Sequence, residues 1–162
     1  MEKKFLNFDN LRRGEYIAAV GGVLLAIAVF LPWFELGNGN AHLEGAQNFS
    51  HHPGLGISAW QALVAIRFLL LLGAIAPWIL GYIILRDHAL SWPRGELTAV
   101  VAITAMTLVL VRGLIIKPGN PHEQIHLSYG WYLALFAGVL MLVGALTRVS
   151  ESERVRKPPG VI

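Results

Sequence analysis

The segment around residue 122 contains side chains in the order that zinc proteases use. His122-Glu123-Gln124-Ile125-His126 matches H-E-x-x-H, in which two histidines one helical turn apart bind the metal and the glutamate acts as general base. If this stretch is helical, its two histidines can face one ion. A zinc protease also needs a third protein ligand and an open position for water.

Further metal-ligating side chains lie between the first and second apolar stretches. They are His42, His51 and His52, with Glu44 as an oxygen donor. Neutral imidazole is the commonest protein ligand for metals. A divalent metal bound outside the membrane is therefore a hypothesis, and no other cofactor is predicted. No spacing in the sequence selects the third ligand.

The motif also has an interpretation without a metal. Asn120 is a favourable N-cap, Pro121 suits the first helical position and Glu123 falls at the third, which is an Asn variant of the capping box. His122 and His126 are then polar residues on a short helix outside the membrane. Because this interpretation accounts for the glutamate, it favours a non-enzymatic protein over a protease.

Two arginines lie within long apolar stretches. Arg67 is about nine residues inside the second stretch, and Arg112 is near the end of the third. An ionisable group at membrane depth indicates a functional site by default. Both guanidiniums could bind an anion, such as a lipid phosphate, through bidentate hydrogen bonds. Alternatively, Arg112 extends to the outer headgroups, and Arg67 bonds to Glu35 or to carbonyls of a neighbouring helix.

The composition indicates what surrounds these residues. Of 162 residues, 55% are hydrophobic and 14% are charged, whereas soluble domains have roughly 25% charged residues. Four apolar stretches are near or above the roughly 20 residues that cross a bilayer. They cover residues 16–34, 59–85, 97–116 and 127–146. We therefore expect an all-α protein, a four-helix transmembrane bundle, with its membrane domain at 16–148.

The charge distribution predicts the orientation of this bundle. Lys and Arg precede the first stretch, follow the fourth and flank the connection between the second and third, but residues 35–58 and 118–128 have none. By the positive-inside rule, both termini are cytoplasmic (N-in/C-in). The pI of 9.5 therefore indicates topology and not nucleic-acid binding. We predict a cytoplasmic basic leader at 1–15 and a disordered cytoplasmic tail at 149–162.

Small residues recur on single faces of two stretches. Gly73 and Gly81 share a face of the second stretch, and Gly130, Ala134 and Gly138 share a face of the fourth. Such residues let helices approach closely in a membrane, so they predict packing seams. The outer loop between the first two helices is rich in Gly and Asn, and we expect it to be irregular. The chain has no cysteine, which excludes thiol chemistry and disulfides.

Several short motifs carry a resemblance to known membrane proteins. They are LPWF at 31–34, GISAWQAL at 56–63, KPG at 117–119 after Arg112, and YGWYLALFAGVLMLVGA at 129–145. Over most of its length the chain resembles small four-helix proteins common in actinobacteria and related soil bacteria. The resemblance implies the fold and a bacterial plasma membrane, but no activity. The Trp-bearing first outer loop is also similar in layout to that of claudins.

These features predict a small multi-pass plasma-membrane protein of non-enzymatic role. It would act as an accessory or scaffold subunit, or bind a lipid in the outer half of the membrane. Its expected partners are membrane lipids and another membrane protein or a second copy. The alternative is an extracytoplasmic metal-binding protein, with metal-dependent hydrolysis as its extreme. A subunit of a transporter or channel is a third hypothesis.

Overall fold

The computed structural model describes residues 11–37, 56–86, 94–120 and 122–156, which are mostly helical. The elements in chain order are α1 (Arg13–Phe30), β1 (Pro32–Leu36), β2 (Gly56–Ser58), α2 (Ala59–Ala62), α3 (Ile66–Leu85), α4 (Arg94–Leu110), a π segment (Val111–Ile115), a 3-10 turn (His122–Gln124), β3 (Ile125–Leu127) and α5 (Tyr129–Arg156). Four helices in this part of the chain are long and apolar enough to cross a membrane, as predicted: α1, α3, α4 with its π segment, and α5.

The four long helices pack in the order α1, α3, α4 and α5, and α5 closes back on α1. The seam between α1 and α5 is close, because an added Cβ at Gly14 would overlap the Gly144 carbonyl oxygen. The seam between α3 and α4 is looser. A Cβ at Gly73 would lie 3.7 Å from Ala105 Cβ, which is an ordinary contact. One seam of the bundle is therefore open.

The glycines predicted to line packing seams do not all do so. An added Cβ would lie 2.8 Å from Trp33 Cδ1 at Gly130, and against Met106 at Gly138. Ala134 is fully buried. At Gly81, however, an added Cβ would meet none of the described residues within 4 Å, so Gly81 lines no seam in the described part of the bundle. Eight residues rotate a helix by two turns plus about 80°, and Gly81 therefore faces away from the direction of Gly73.

A three-stranded antiparallel sheet covers one end of the bundle, here called the sheet end. β1 is central, in the order β2–β1–β3, and Phe34 lies opposite both Ile57 and Leu127. The described fold is mostly helical with four membrane-length helices, as predicted, but it also contains this small sheet, and the described ends of the segment after α1 are not irregular. Trp33 and Phe34 are fully buried, and strand pairing satisfies the backbone groups beside them. The loop as a whole is rich in Gly and Asn, so its composition did not indicate the short apolar strands at its two ends.

The second apolar stretch, predicted as one helix at 59–85, is divided. The Ser58 hydroxyl accepts a hydrogen bond from the Gln61 amide and caps α2, which ends at Ala62. Leu63 then leaves the helical conformation, with φ −116° and ψ 69°, and its side chain is buried in the core. α3 begins at Ile66, so Arg67 lies in a first helical turn and not nine residues inside a span.

The opposite end of the bundle, here called the junction end, contains the start of α1, the end of α3 and the start of α4. α5 continues to Arg156, so residues 149–156 of the predicted disordered tail are helical. Glu, Arg and Ser at 150–156 tolerate a helix well, which extends it beyond the apolar stretch. Residues 1–10 of the predicted leader and 157–162 of the tail lie outside the described residues.

Candidate functional site

The two arginines of the apolar stretches lie at the sheet end of neighbouring antiparallel helices. Arg67 is in the first turn of α3, and Arg112 is in the π segment that continues α4. α3 runs away from the sheet and α4 runs towards it. Because a helical side chain inclines towards the N-terminus of its own helix, Arg67 inclines towards the sheet. Arg112 inclines the other way, towards Leu108.

Arg67 joins α2 to α3 across the break between them. Its Nη1 donates to the Trp60 carbonyl oxygen at 3.0 Å. Its guanidinium carbon lies 4.5 Å from the centroid of the Trp60 ring and 4.9 Å from that of Phe68. The Trp60 carbonyl is in the last turn of α2, where carbonyls lack partners within the helix. Of the alternatives for Arg67, a bond to a helix carbonyl is therefore present.

Arg112 is placed differently. Its Nε is buried and has no hydrogen-bond partner among the described residues. No ion pair or aromatic contact joins it to another residue in that part of the chain. Nearly all buried polar groups in proteins are hydrogen-bonded, and leaving a charged group without partners is unfavourable. Arg112 is only half-buried as a whole, so its outer nitrogens remain reachable by a ligand.

The π segment around Arg112 is held by a tryptophan from α5. The Ile116 amide donates to the Val111 carbonyl, five residues back, at 2.8 Å. Trp131 Nε1 donates to the Val109 carbonyl at 2.9 Å in a buried hydrogen bond. The indole lies against Gly113, where an added Cβ would overlap Nε1. π segments often mark functional sites. The sequence analysis did not predict this arrangement. Gly113, next to Arg112, was the one residue that could have indicated it.

The H-E-x-x-H motif does not form a single helix. The 3-10 turn ends at Gln124, and His126 is on β3 opposite Glu35. The helical interpretation, with or without a metal, is therefore wrong. Strand pairing prevails because Gly37 and Gln124 form a backbone hydrogen bond of 2.8 Å and Ile125 is fully buried. The His126 ring lies over Gly37, where an added Cβ would be 2.8 Å from Nε2.

The metal hypothesis has no further support within the described ranges. They contain no group of three His, Asp or Glu side chains that could hold an ion. His122 and Glu123 are exposed on the 3-10 turn. The remaining candidates, His42, His51, His52 and Glu44, lie outside the described residues. A site that uses them stays a prediction.

Two carboxylates are engaged at opposite ends of the bundle. At the sheet end, Glu35 accepts from the Ser128 hydroxyl at 2.5 Å, immediately before α5, and does not bond to Arg67. At the junction end, Glu15 forms an ion pair with Arg148 and accepts from the Arg12 amide at 2.7 Å. Sequence reasoning assigned Glu15 to the leader and missed this pair, which joins α1 to α5.

Comparison of the chain with protein-family models, with curated proteins and with solved structures found no match. The function is therefore inferred from a contrast at the sheet end. The Nε of both arginines is buried without a partner, but Arg67 binds the Trp60 carbonyl through Nη1, whereas no hydrogen bond joins the Arg112 guanidinium to another described residue.

Proposed function

We propose that the protein is a multi-pass protein of a bacterial plasma membrane that binds an anionic phospholipid through Arg112. The role is non-enzymatic, and the lipid belongs to the outer leaflet. Both termini are cytoplasmic, with the sheet end outside. Four membrane-length helices support the location.

The distribution of basic residues supports the orientation. At the junction end are Arg12, Arg13, Arg86 and Arg148, and a cytoplasmic face is rich in such residues. Besides the two arginines of the apolar stretches, the described part of the sheet end has Lys117. Its Nζ donates to the Ile125 carbonyl at 2.8 Å, so this ammonium is already bound to the sheet.

The observation that carries the lipid proposal is that no hydrogen bond, ion pair or ring contact joins the Arg112 guanidinium to another described residue. The Nε of Arg67 is likewise buried without a partner, but its Nη1 binds the Trp60 carbonyl. A phosphate offers the paired oxygens that match a guanidinium, and such bidentate hydrogen bonds are short and strong. The Cα–Cβ bond of Arg112 is tilted away from the sheet end. We therefore place the phosphate that meets Arg112 at the boundary between headgroups and acyl chains.

Native mass spectrometry of protein taken from nanodiscs tests this proposal. The nanodiscs contain equal amounts of phosphatidylglycerol and phosphatidylcholine. We expect the parent protein to retain phosphatidylglycerol and Arg112→Gln to retain it roughly tenfold to a hundredfold less, because a charged hydrogen bond contributes about 1.5–3 kcal/mol. The matched variant Arg67→Gln should retain it like the parent. Equal retention by Arg112→Gln and the parent would refute the proposal.

Single cysteines test the orientation, since the natural chain has none. Glu123→Cys lies on the 3-10 turn of the sheet end, and Arg86→Cys lies at the junction end. A membrane-impermeant maleimide should label the first in intact cells and the second only after lysis. The reverse order of labelling would contradict an outer sheet end.

A further inference from the structure

We infer that the groove between α3 and α4 holds one acyl chain of the phospholipid whose phosphate binds Arg112. This inference rests on the proposed function and adds the site of the lipid tail. It concerns a feature that the arginine alone does not explain, namely the open seam of the bundle.

The groove consists of two adjoining cavities that share Ala76 and Val101. The cavity nearer the sheet has a volume of about 240 Å³ and the other about 260 Å³. Their walls are apolar except for two threonines, and the Thr104 hydroxyl is already bound to the Val100 carbonyl at 2.8 Å. The lining therefore offers no strong polar partner to a ligand, and it suits a hydrocarbon.

The groove begins one helical turn from Arg112 and runs along most of α3 towards the junction end. Leu108 lines its end nearest the sheet, one helical turn before Arg112 on α4. On α3 the groove extends from Leu69 to Ile83, which is about 21 Å at 1.5 Å per residue. That length exceeds half of a hydrocarbon core of about 30 Å. A lipid whose phosphate is at Arg112 can therefore direct one chain into this groove.

The size of the groove selects a chain over a helix as its occupant. A helix about 10 Å across and 21 Å long has a volume of roughly 1,600 Å³, several times that of the two cavities. The floor is also narrow, because a Cβ added at Gly73 would lie only 3.7 Å from Ala105 Cβ. At the rim, Leu69, Leu72 and Val100 are 54%, 63% and 58% exposed. A single acyl chain fills the cleft and contacts these side chains.

Two glycines of α3 provide a matched experiment. Gly73→Leu places a side chain in the sheet-side cavity, whereas Gly81→Leu adds the same side chain where a Cβ meets nothing within 4 Å. Both remove a helical glycine, so their effects on helix propensity match. Ala76→Leu, on the groove wall, is a second filling variant in case Gly73→Leu misfolds. Circular dichroism and gel filtration confirm that each variant is folded.

The readout is the retention of dioleoyl-phosphatidylglycerol in native mass spectrometry, with dihexanoyl-phosphatidylglycerol and glycerol phosphate as short competitors. We expect the filling variants to retain about tenfold less dioleoyl lipid. This is the effect expected when two methylene groups of the acyl chain can no longer be buried in the groove. Gly81→Leu should match the parent. Glycerol phosphate should not displace the lipid.

Three other results would overturn the inference. If the filling variants retain lipid like the parent while Arg112→Gln loses it, the headgroup site stands and the groove is not the tail site. If Arg112→Gln also retains it, the proposed function fails as well. If filling the groove converts a dimer to a monomer, its occupant is a second copy of the chain.

Discussion

The two arginines at the sheet end lie on adjacent helices, but they differ in how the fold binds their guanidiniums. The guanidinium of Arg67 binds a helix carbonyl and stacks on Trp60 and Phe68. The Nε of each arginine is buried and has no partner among the described residues, but the guanidinium of Arg112 has no hydrogen bond or ring contact with another described residue at all. Both lie beside an interruption of regular helix, a break before α3 and a π segment after α4. The arginine of the first interruption bonds across it, and we propose that the arginine of the second binds a ligand.

This difference follows from helix direction. α3 begins at the sheet end, so Arg67 inclines towards the unpaired carbonyls of α2. α4 and its π segment end there, so the Cα–Cβ bond of Arg112 is tilted away from the sheet. The depth of an arginine in an apolar stretch is therefore a poor guide to its role. The direction of its helix and the nearest helix terminus are better guides.

The largest expected effect is the loss of stability caused by Arg67→Gln. This change removes a charged hydrogen bond and the stacking on two rings, which together contribute about 2–4 kcal/mol. The measurement is unfolding by sodium dodecyl sulfate, followed by circular dichroism of protein in lipid-free detergent. Arg112→Gln is the matched control and should leave this free energy unchanged or raise it. If the two variants unfold alike, the contrast between the arginines is not real.

A smaller effect is expected when the support of the π segment is removed. Trp131→Phe keeps the ring in the core but loses the hydrogen bond to the Val109 carbonyl, at a cost of about 1–3 kcal/mol for the unpaired buried acceptor. We expect weaker retention of phosphatidylglycerol as well, because Arg112 is then less firmly placed. Trp33→Phe is the control, since Trp33 Nε1 also donates to a buried carbonyl, that of Ala28. It should lower stability while retaining the lipid.

The smallest effect is expected at Lys117, the third basic residue of the described sheet end. Its ammonium binds the Ile125 carbonyl at the free edge of β3. Lys117→Met should cost about 1 kcal/mol and leave lipid retention unchanged. A loss of lipid as large as that of Arg112→Gln would show that general positive charge, and not the guanidinium of Arg112, attracts the lipid.

The four membrane-length helices could be predicted from the sequence, because a stretch apolar enough to cross a bilayer has few possible structures. Within a bilayer every backbone group must be satisfied internally, and a long apolar stretch such as 127–146 has one solution, a helix. The point at which a helix ends outside its apolar stretch is less restricted. Glu, Arg and Ser after residue 149 continue α5 without any apolar pattern, so the predicted boundary was wrong there.

The sheet end could not be predicted, since its structure depends on contacts between distant residues. Ser128 reaches Glu35 across 93 positions, and His126 pairs with the same glutamate. Local spacing favoured a helix for H-E-x-x-H, but pairing with β1 selected a strand. The π segment likewise depends on Trp131, 22 positions from its acceptor Val109. Hydrogen bonds between residues so far apart in the chain produce no periodic pattern in the sequence.

The distance from the arginine carbon Cζ to the lipid phosphorus tests the central proposal most directly. Solid-state nuclear magnetic resonance measures it through the dipolar coupling between ¹³C-labelled arginine and ³¹P of phosphatidylglycerol, with Arg112→Gln and Arg67→Gln used to assign the signals. We predict a distance of about 4 Å for Arg112, as expected from N–O hydrogen bonds of about 2.8 Å, and no comparable coupling for Arg67. A coupling that persists in Arg112→Gln and disappears in Arg67→Gln would contradict the proposal.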